Sequence, residues 1–362
     1  MTDLDEQIVQ TLRERAEGDV DTGRLLRASR ARGRRRQLHR RVAAGTALSL
    51  IGVLGVVAVT GTGLDGLSDR LPWTATTPIV VPPVPPRADG VPGAAADPAL
   101  VGSDPDVLHF GLDPARARYL GWSVSRGHTE SVRLSVRDDQ PVYVEASSKA
   151  ELSTSVSFDN VEVDAVGPGP QSFDGTIHPA SGGASAMVKS WQPAPGLYAR
   201  AVILRGDRAG LEQAVKALRW NEARTCAVPL RLDALPEGGP INNCSVDVSS
   251  YPRLVTSNFV LGRATNQVMF VNYRYASGAG TRTAGNRTVA GRPAYLSPDG
   301  TTLDLLGIPK TMVSANFDWQ WEGRRPIGVE PGASSGFTEA DATTVLAGAR
   351  VVEDPTRAES WK

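Results

Sequence analysis

Cysteine, histidine and lysine are all scarce in this chain of 362 residues, which holds two, four and five of them. Cys226 and Cys244 have no further cysteine and no histidine near them, so a four-ligand zinc site is excluded. His39, His109, His128 and His178 stand apart, and none forms H-x-x-x-H or H-E-x-x-H. Gly332-Ala333-Ser334-Ser335-Gly336 matches G-x-S-x-G, yet no histidine follows His178. The hydrolase order Ser, Asp, His therefore fails, and the segment reads as a loop of small residues. Formal net charge is zero, which removes the whole-chain basic footprint of a nucleic-acid binder. The sequence nominates no catalytic residue, no cofactor and no metal ligand.

What is present is unevenly placed. Acidic residues occupy the first 21 positions, and nine arginines crowd residues 24–41, including Arg34, Arg35, Arg36, Arg40 and Arg41. Val42–Leu64 then runs without a charged side chain. As a helix it would extend roughly 35 Å, enough to cross a hydrocarbon core of about 30 Å. Arginines on its N-terminal side predict a cytoplasmic N-terminus and an outer C-terminal mass, with the arginines facing anionic lipid. A cleaved signal would have a shorter apolar region and a better A-x-A-like site than Ala58-Val59-Thr60. Within residues 1–41, Leu4, Ile8 and Leu12 recur at helical spacing and form a candidate docking face for a cytosolic protein.

Prolines punctuate residues 65–105, predicting an extended linker of polyproline type. Two stretches with a common order of signals follow, 106–225 and 226–354, and then a short tail, 355–362. Phe110-Gly111-Leu112-Asp113 opens the first and Leu230-Arg231-Leu232-Asp233 the second. Alternating strands are expected at Val142-Tyr143-Val144 and at Val268–Tyr273. Val-rich segments before Gly-x-Pro follow at Val161–Ser172 and Arg287–Tyr295. Strands ending in tryptophan are expected at Met187–Trp191 and Phe317–Trp321, and short strands at Leu197–Leu204 and Pro326–Glu330. Helices close each stretch, at Asp207–Trp220 and Thr338–Arg350, the second with Thr338 as N-cap. The predicted fold class is α+β: one N-terminal transmembrane helix, then two tandem similar units with antiparallel sheets and one closing helix each.

Cys226 and Cys244 fall on the predicted outer side, separated by a loop rich in Pro and Gly. A disulfide between them is the favoured reading, with two unpaired thiols as the alternative. Asp138-Asp139 reads as a hairpin turn, and Arg205-Gly206-Asp207 as a turn with a helix cap.

The arrangement resembles that of actinobacterial single-pass membrane proteins with an Arg-rich cytoplasmic N-terminus. The segment Val289-Ala290-Gly291-Arg292-Pro293 through Trp321 and Thr338–Arg350 is similar to envelope domains related to sigma-factor regulators. Zinc-binding members of that group carry a His and Cys pair in the cytoplasmic part. This N-terminus has His39 and no cysteine, so that activity does not carry over. The expected function is a membrane-anchored, non-enzymatic binding module outside the cytoplasm, with the lipid bilayer and an envelope ligand as partners and no nucleic acid. The alternatives are a transmembrane or anti-sigma-like regulator that engages a cytosolic partner through residues 1–30, and an envelope enzyme.

Overall fold

Alternation of apolar and polar residues, as in Val132-Arg133-Leu134 or Val271-Asn272-Tyr273, dictates strands with one buried face. The computed structural model describes residues 82–127, 129–137, 140–152, 155–158, 161–164, 172–180, 185–264, 267–318 and 336–361. Thirteen strands form one antiparallel sheet. They are β1 (Arg118–Ser125), β2 (Glu130–Val136), β3 (Gln140–Ser147), β4 (Asp174–Pro179), β5 (Ala186–Ala194) and β6 (Leu197–Leu204), followed by β7 (Ile241–Asp247), β8 (Leu254–Ala264) and β9 (Gln267–Ala276). The last four are β10 (Arg287–Val289), β11 (Arg292–Leu296), β12 (Thr302–Leu305) and β13 (Thr311–Asn316). Their spatial order is β10-β11-β12-β13-β9-β8-β7-β1-β2-β3-β6-β5-β4.

The pairing of β1 with β7 joins the two halves, with Gly121–Ser125 set against Asn243–Asp247. The predicted fold class is thereby corrected. The chain is mostly β, and its two expected α+β units are parts of one continuous sheet rather than tandem units with sheets of their own. Tandem repetition is not shown. The physical reason is that β1 and β7 would each be a bare edge in a separate unit, and pairing satisfies both rows of backbone groups.

The expected transmembrane helix is also corrected as an element of this fold. Among the described residues no helix is long and apolar enough to cross a membrane. The α-helices of the described residues, α1 (Arg208–Ala217) and α2 (Glu339–Ala347), have ten and nine residues. The segment Val42–Leu64 lies outside the described residues, as do Arg34, Arg35, Arg36, Arg40, Arg41, Leu4, Ile8 and Leu12. So do the Asp138-Asp139 turn and most of the strands expected at Phe317–Trp321 and Pro326–Glu330.

Both helices cover the same face of the sheet, α1 over the first half and α2 over the second. Leu211, Ala214 and Ala217 are the buried stripe of α1, and Ala342, Val345 and Leu346 that of α2. Asp207 caps α1 by accepting from the Gly210 backbone N–H at 2.7 Å. Thr338 and Asp341 form a capping box on α2, as the sequence pattern predicts. Each helix is shorter than expected because its end straightens into a small strand. Leu218–Arg219 pairs with Gly111–Leu112, and Ala349–Val351 with Leu230–Leu232. Arg219 then pairs with Asp113, and Arg350 with Asp233, so the same local arrangement occurs at both places.

The proline segment from residue 82 onward is not a free spacer. Thr225 N–H donates to the Pro86 carbonyl at 2.9 Å, Ala88 N–H to Ala223 at 3.0 Å, and Arg224 Nη1 to Pro85 at 3.2 Å. Ala94 and Val101 behind it are buried. The C-terminal residues are packed as well. Trp361 is buried, and its ring lies 6.4 Å from those of Trp122 and Tyr251.

Cys226 and Cys244 form a disulfide with Cα atoms 6.5 Å apart and 18 residues of separation. It ties central strand β7 to the segment leading out of the first half. Closing a loop of that size stabilises by about 3 kcal/mol on the chain-entropy model. The double substitution Cys226→Ala/Cys244→Ala is expected to lower the unfolding free energy by about that amount, with a lower denaturant midpoint and a steeper slope as the unfolded chain expands. An unaltered midpoint in equilibrium unfolding would show that the bridge does not stabilise this fold.

Candidate functional site

The helix-covered face of the sheet is a hydrophobic core. The opposite face differs between the halves. Over the first half, a two-stranded hairpin of Ser155–Phe158 and Val161–Asp164 places Val163 on Ala186, Val188, Val202 and Leu204, forming a second, smaller core. Beside it, Arg200 on β6 directly opposes Glu145 on β3, and Nη2 donates to Oε2 at 2.9 Å with both side chains buried. Breaking such a pair by removing one member costs about 3–5 kcal/mol, so this pair is a structural clamp.

Over the middle of the sheet and the second half, the same face carries a groove of about 530 Å³. Its floor is set by strand register. Residues directly opposed across an antiparallel ladder share a face. Ser131 on β2 opposes Ser123 on β1, which opposes Ser245 on β7. Ser245 opposes Asn258 on β8, Asn258 opposes Asn272 on β9, and Asn272 opposes Ser314 on β13. Six consecutive strands thus place a serine or asparagine in one transverse row. With strands about 4.8 Å apart, the row extends roughly 24 Å.

A second row runs parallel to the first. Tyr143 opposes Arg133, Arg133 opposes Gly121, and Gly121 opposes Asp247. The row continues through Thr256 and Arg274 to Met312. Gly121 is the gap in this row. Across it, Arg133 Nη1 reaches Asp247 Oδ2 at 2.6 Å. A Cβ on Gly121 would meet the Val246 carbonyl oxygen at 2.5 Å, so a side chain there collides with the neighbouring strand.

Hydrogen bonding within the groove leaves capacity to spare. Asn258 Nδ2 donates to Asn272 Oδ1 at 2.7 Å. Whichever way the two amides are turned, one acceptor and one donor remain without a partner among the described residues. Asn243 Nδ2 holds Ser123 Oγ at 3.1 Å and Ser125 Oγ at 2.8 Å, which fixes that end of the row. Asp247 is fully engaged, since Oδ1 also accepts from Ser249 N–H at 2.9 Å and Ser249 Oγ at 2.6 Å. Burial pushes the Tyr143 phenol above its ordinary pKa, and the Glu145 carboxylate adds to the rise. Tyr143 is therefore a neutral hydroxyl at physiological pH. Arg274 is exposed and makes no ion pair among the described residues.

The polar groups singled out in sequence lie elsewhere. His109 is buried, and the Glu130 carboxylate accepts from its Nδ1 at 2.6 Å, from its backbone N–H at 2.5 Å and from Gly102 N–H at 2.9 Å. This is a closed turn clamp rather than a reactive centre. His178 lies on β4, with Nδ1 3.2 Å from the Pro179 carbonyl oxygen. Trp191 is half-buried against Trp220, 6.1 Å between rings. His128 and the G-x-S-x-G segment, Gly336 apart, are outside the described residues. Among the described residues no group of His, Cys, Asp and Glu is placed to hold a metal ion. The serine and asparagine rows were missed in sequence. Their signal was there: many polar positions of these strands are Ser, Asn or Thr, and lysine is almost absent from them.

The Gly121 gap yields a direct test. Gly121→Ala is expected to lower the unfolding free energy by about 1–3 kcal/mol, as overpacking does. Loss of the partly exposed Arg133–Asp247 pair alone would cost less, roughly 0–1 kcal/mol. A variant as stable as the parent in urea unfolding would contradict the register that sets Gly121 between them. Comparison of the chain with protein-family models, with curated proteins and with solved structures finds no match.

Proposed function

We propose that the protein is a non-enzymatic binding module that receives an extended, hydroxyl-rich chain, a glycan, along the polar groove of its sheet. The single observation that carries this reading is the row from Ser131 to Ser314, which aligns six short hydroxyl and amide side chains across six strands. Long charged side chains are few along this row, so its short polar groups are not overhung by them. Short hydroxyls and amides offer donors and acceptors in a line along one face of the sheet. Their spacing of about 4.8 Å is close to the rise per sugar of an extended glycan.

Other polymers fit less well. A peptide adding to a sheet needs a free strand edge, whereas the groove is a face. Single-stranded nucleic acid needs stacked aromatic platforms and several unpaired cations. Here Arg133 is paired with Asp247, which leaves Arg274 as the free cation of the groove among the described residues. The Cys226–Cys244 disulfide supports action in an oxidising compartment outside the cytoplasm.

The test is retention of the full chain on immobilised polysaccharide purified from the cell envelope of the producing organism. The parent protein is expected to be retained and to release no new reducing ends. Asn258→Leu/Asn272→Leu is expected to weaken retention by at least about tenfold while keeping its melting temperature, because the ligand's polar groups lose their partners. No retention of the parent, or equal retention of the variant, would overturn the proposal.

A further inference from the structure

Resting on the glycan reading of the groove, we infer that its ligand is an acidic glycan and that Arg274 is the anchor for a ligand carboxylate. Charge bookkeeping in the groove leads there. Two arginines and one aspartate line it, Arg133, Arg274 and Asp247, giving two positive charges less one negative, or one net positive charge. That charge is localised. The Arg133 guanidinium is spent on Asp247, and Asp247 is further saturated by Ser249. Arg274 is the groove residue that remains exposed and without an ion pair among the described residues.

Its position suits a carboxylate on a sugar lying along the row. Arg274 is two residues beyond Asn272 on β9, so both side chains rise from the same face of one strand. It directly opposes Thr256 on β8, whose hydroxyl lies on the same face. On its other side stands Met312, 39% exposed, which contributes an apolar wall without competing for the guanidinium. A planar guanidinium binds a carboxylate through two parallel N–H donors, and flanking hydroxyls take the sugar oxygens. Asp247 lies two strands away and is neutralised by Arg133, so it leaves little field to repel an anion at Arg274. Arg274 is thus a specificity residue: the Ser and Asn row receives the sugar backbone, and Arg274 selects the acid.

The experiment uses the full chain and paired probes. Oligosaccharides of uronic acids, from polygalacturonate, alginate and hyaluronan, are compared with the same oligomers after reduction of each carboxyl to a primary alcohol. Binding is read by calorimetry at low and high salt. At least one acidic oligomer is expected to bind about tenfold or more tighter than its reduced counterpart. Arg274→Gln is expected to abolish that difference, weakening the acidic oligomer far more than its reduced counterpart. Arg274→Lys is expected to retain part of it.

The outcomes separate the two readings. Equal binding of acidic and reduced oligomers, or discrimination that survives Arg274→Gln, overturns the acidic-glycan inference and leaves the groove reading standing. If no oligomer binds and the chain is also not retained on envelope polysaccharide, both fall. If no oligomer binds while retention on envelope polysaccharide persists in Arg274→Gln, the inference alone fails.

Discussion

The pairing of β1 with β7 is the interaction on which the rest of the structure depends. It brings Gly121–Ser125 and Asn243–Asp247 into register and turns two potential edges into the middle of a thirteen-stranded sheet. An edge strand offers unpaired N–H and C=O groups to any passing chain, and burying two edges against each other removes both liabilities. The Cys226–Cys244 bridge enters the sheet at this place, since Cys244 opposes Val124 within the joint. Gly121 also stands here and lets Arg133 cross to Asp247. Covalent, ionic and backbone interactions thus converge on the same two strands.

One face of the fused sheet follows ordinary packing. Two helices with narrow apolar stripes close over it, and the core is continuous from Leu108 through Tyr273 to Val345. The other face divides the work. Where the small hairpin sits, buried Glu145 and Arg200 satisfy each other. Where the groove lies, the side chains are short, polar and incompletely partnered. Such a face costs little to solvate and keeps its hydrogen-bonding groups available, which is what a binding surface for a polar polymer requires.

Local features were legible in the sequence because local chemistry decides them. Asp207 and Thr338 cap their helices, the two cysteines pair, and Leu211, Ala214, Val345 and Leu346 turn inward, all read from spacing and residue type. What could not be read depends on contacts between residues far apart in the chain. No pattern within β1 or β7 states that each has the other as its neighbour, and two self-contained units satisfy the same local signals. The groove is hidden for the same reason. Ser131, Ser123, Ser245, Asn258, Asn272 and Ser314 are scattered over nearly two hundred positions, and they align only through register, which a one-residue slip would destroy. The proline-rich start of the unit misled in another way. Its composition suits a spacer, yet its carbonyls at Pro85 and Pro86 accept hydrogen bonds from Arg224 Nη1 and the Thr225 N–H.

Residue-resolved amide hydrogen exchange at increasing denaturant tests the fused sheet most directly, because it reports whether both halves open as one cooperative body. A single sheet held at its centre predicts that amides of β1, β2 and β3 share one highest opening free energy with those of β7, β8 and β9. If the second group opens as a separate unit at markedly lower free energy while the first stays protected, the central joint is not what holds the molecule together.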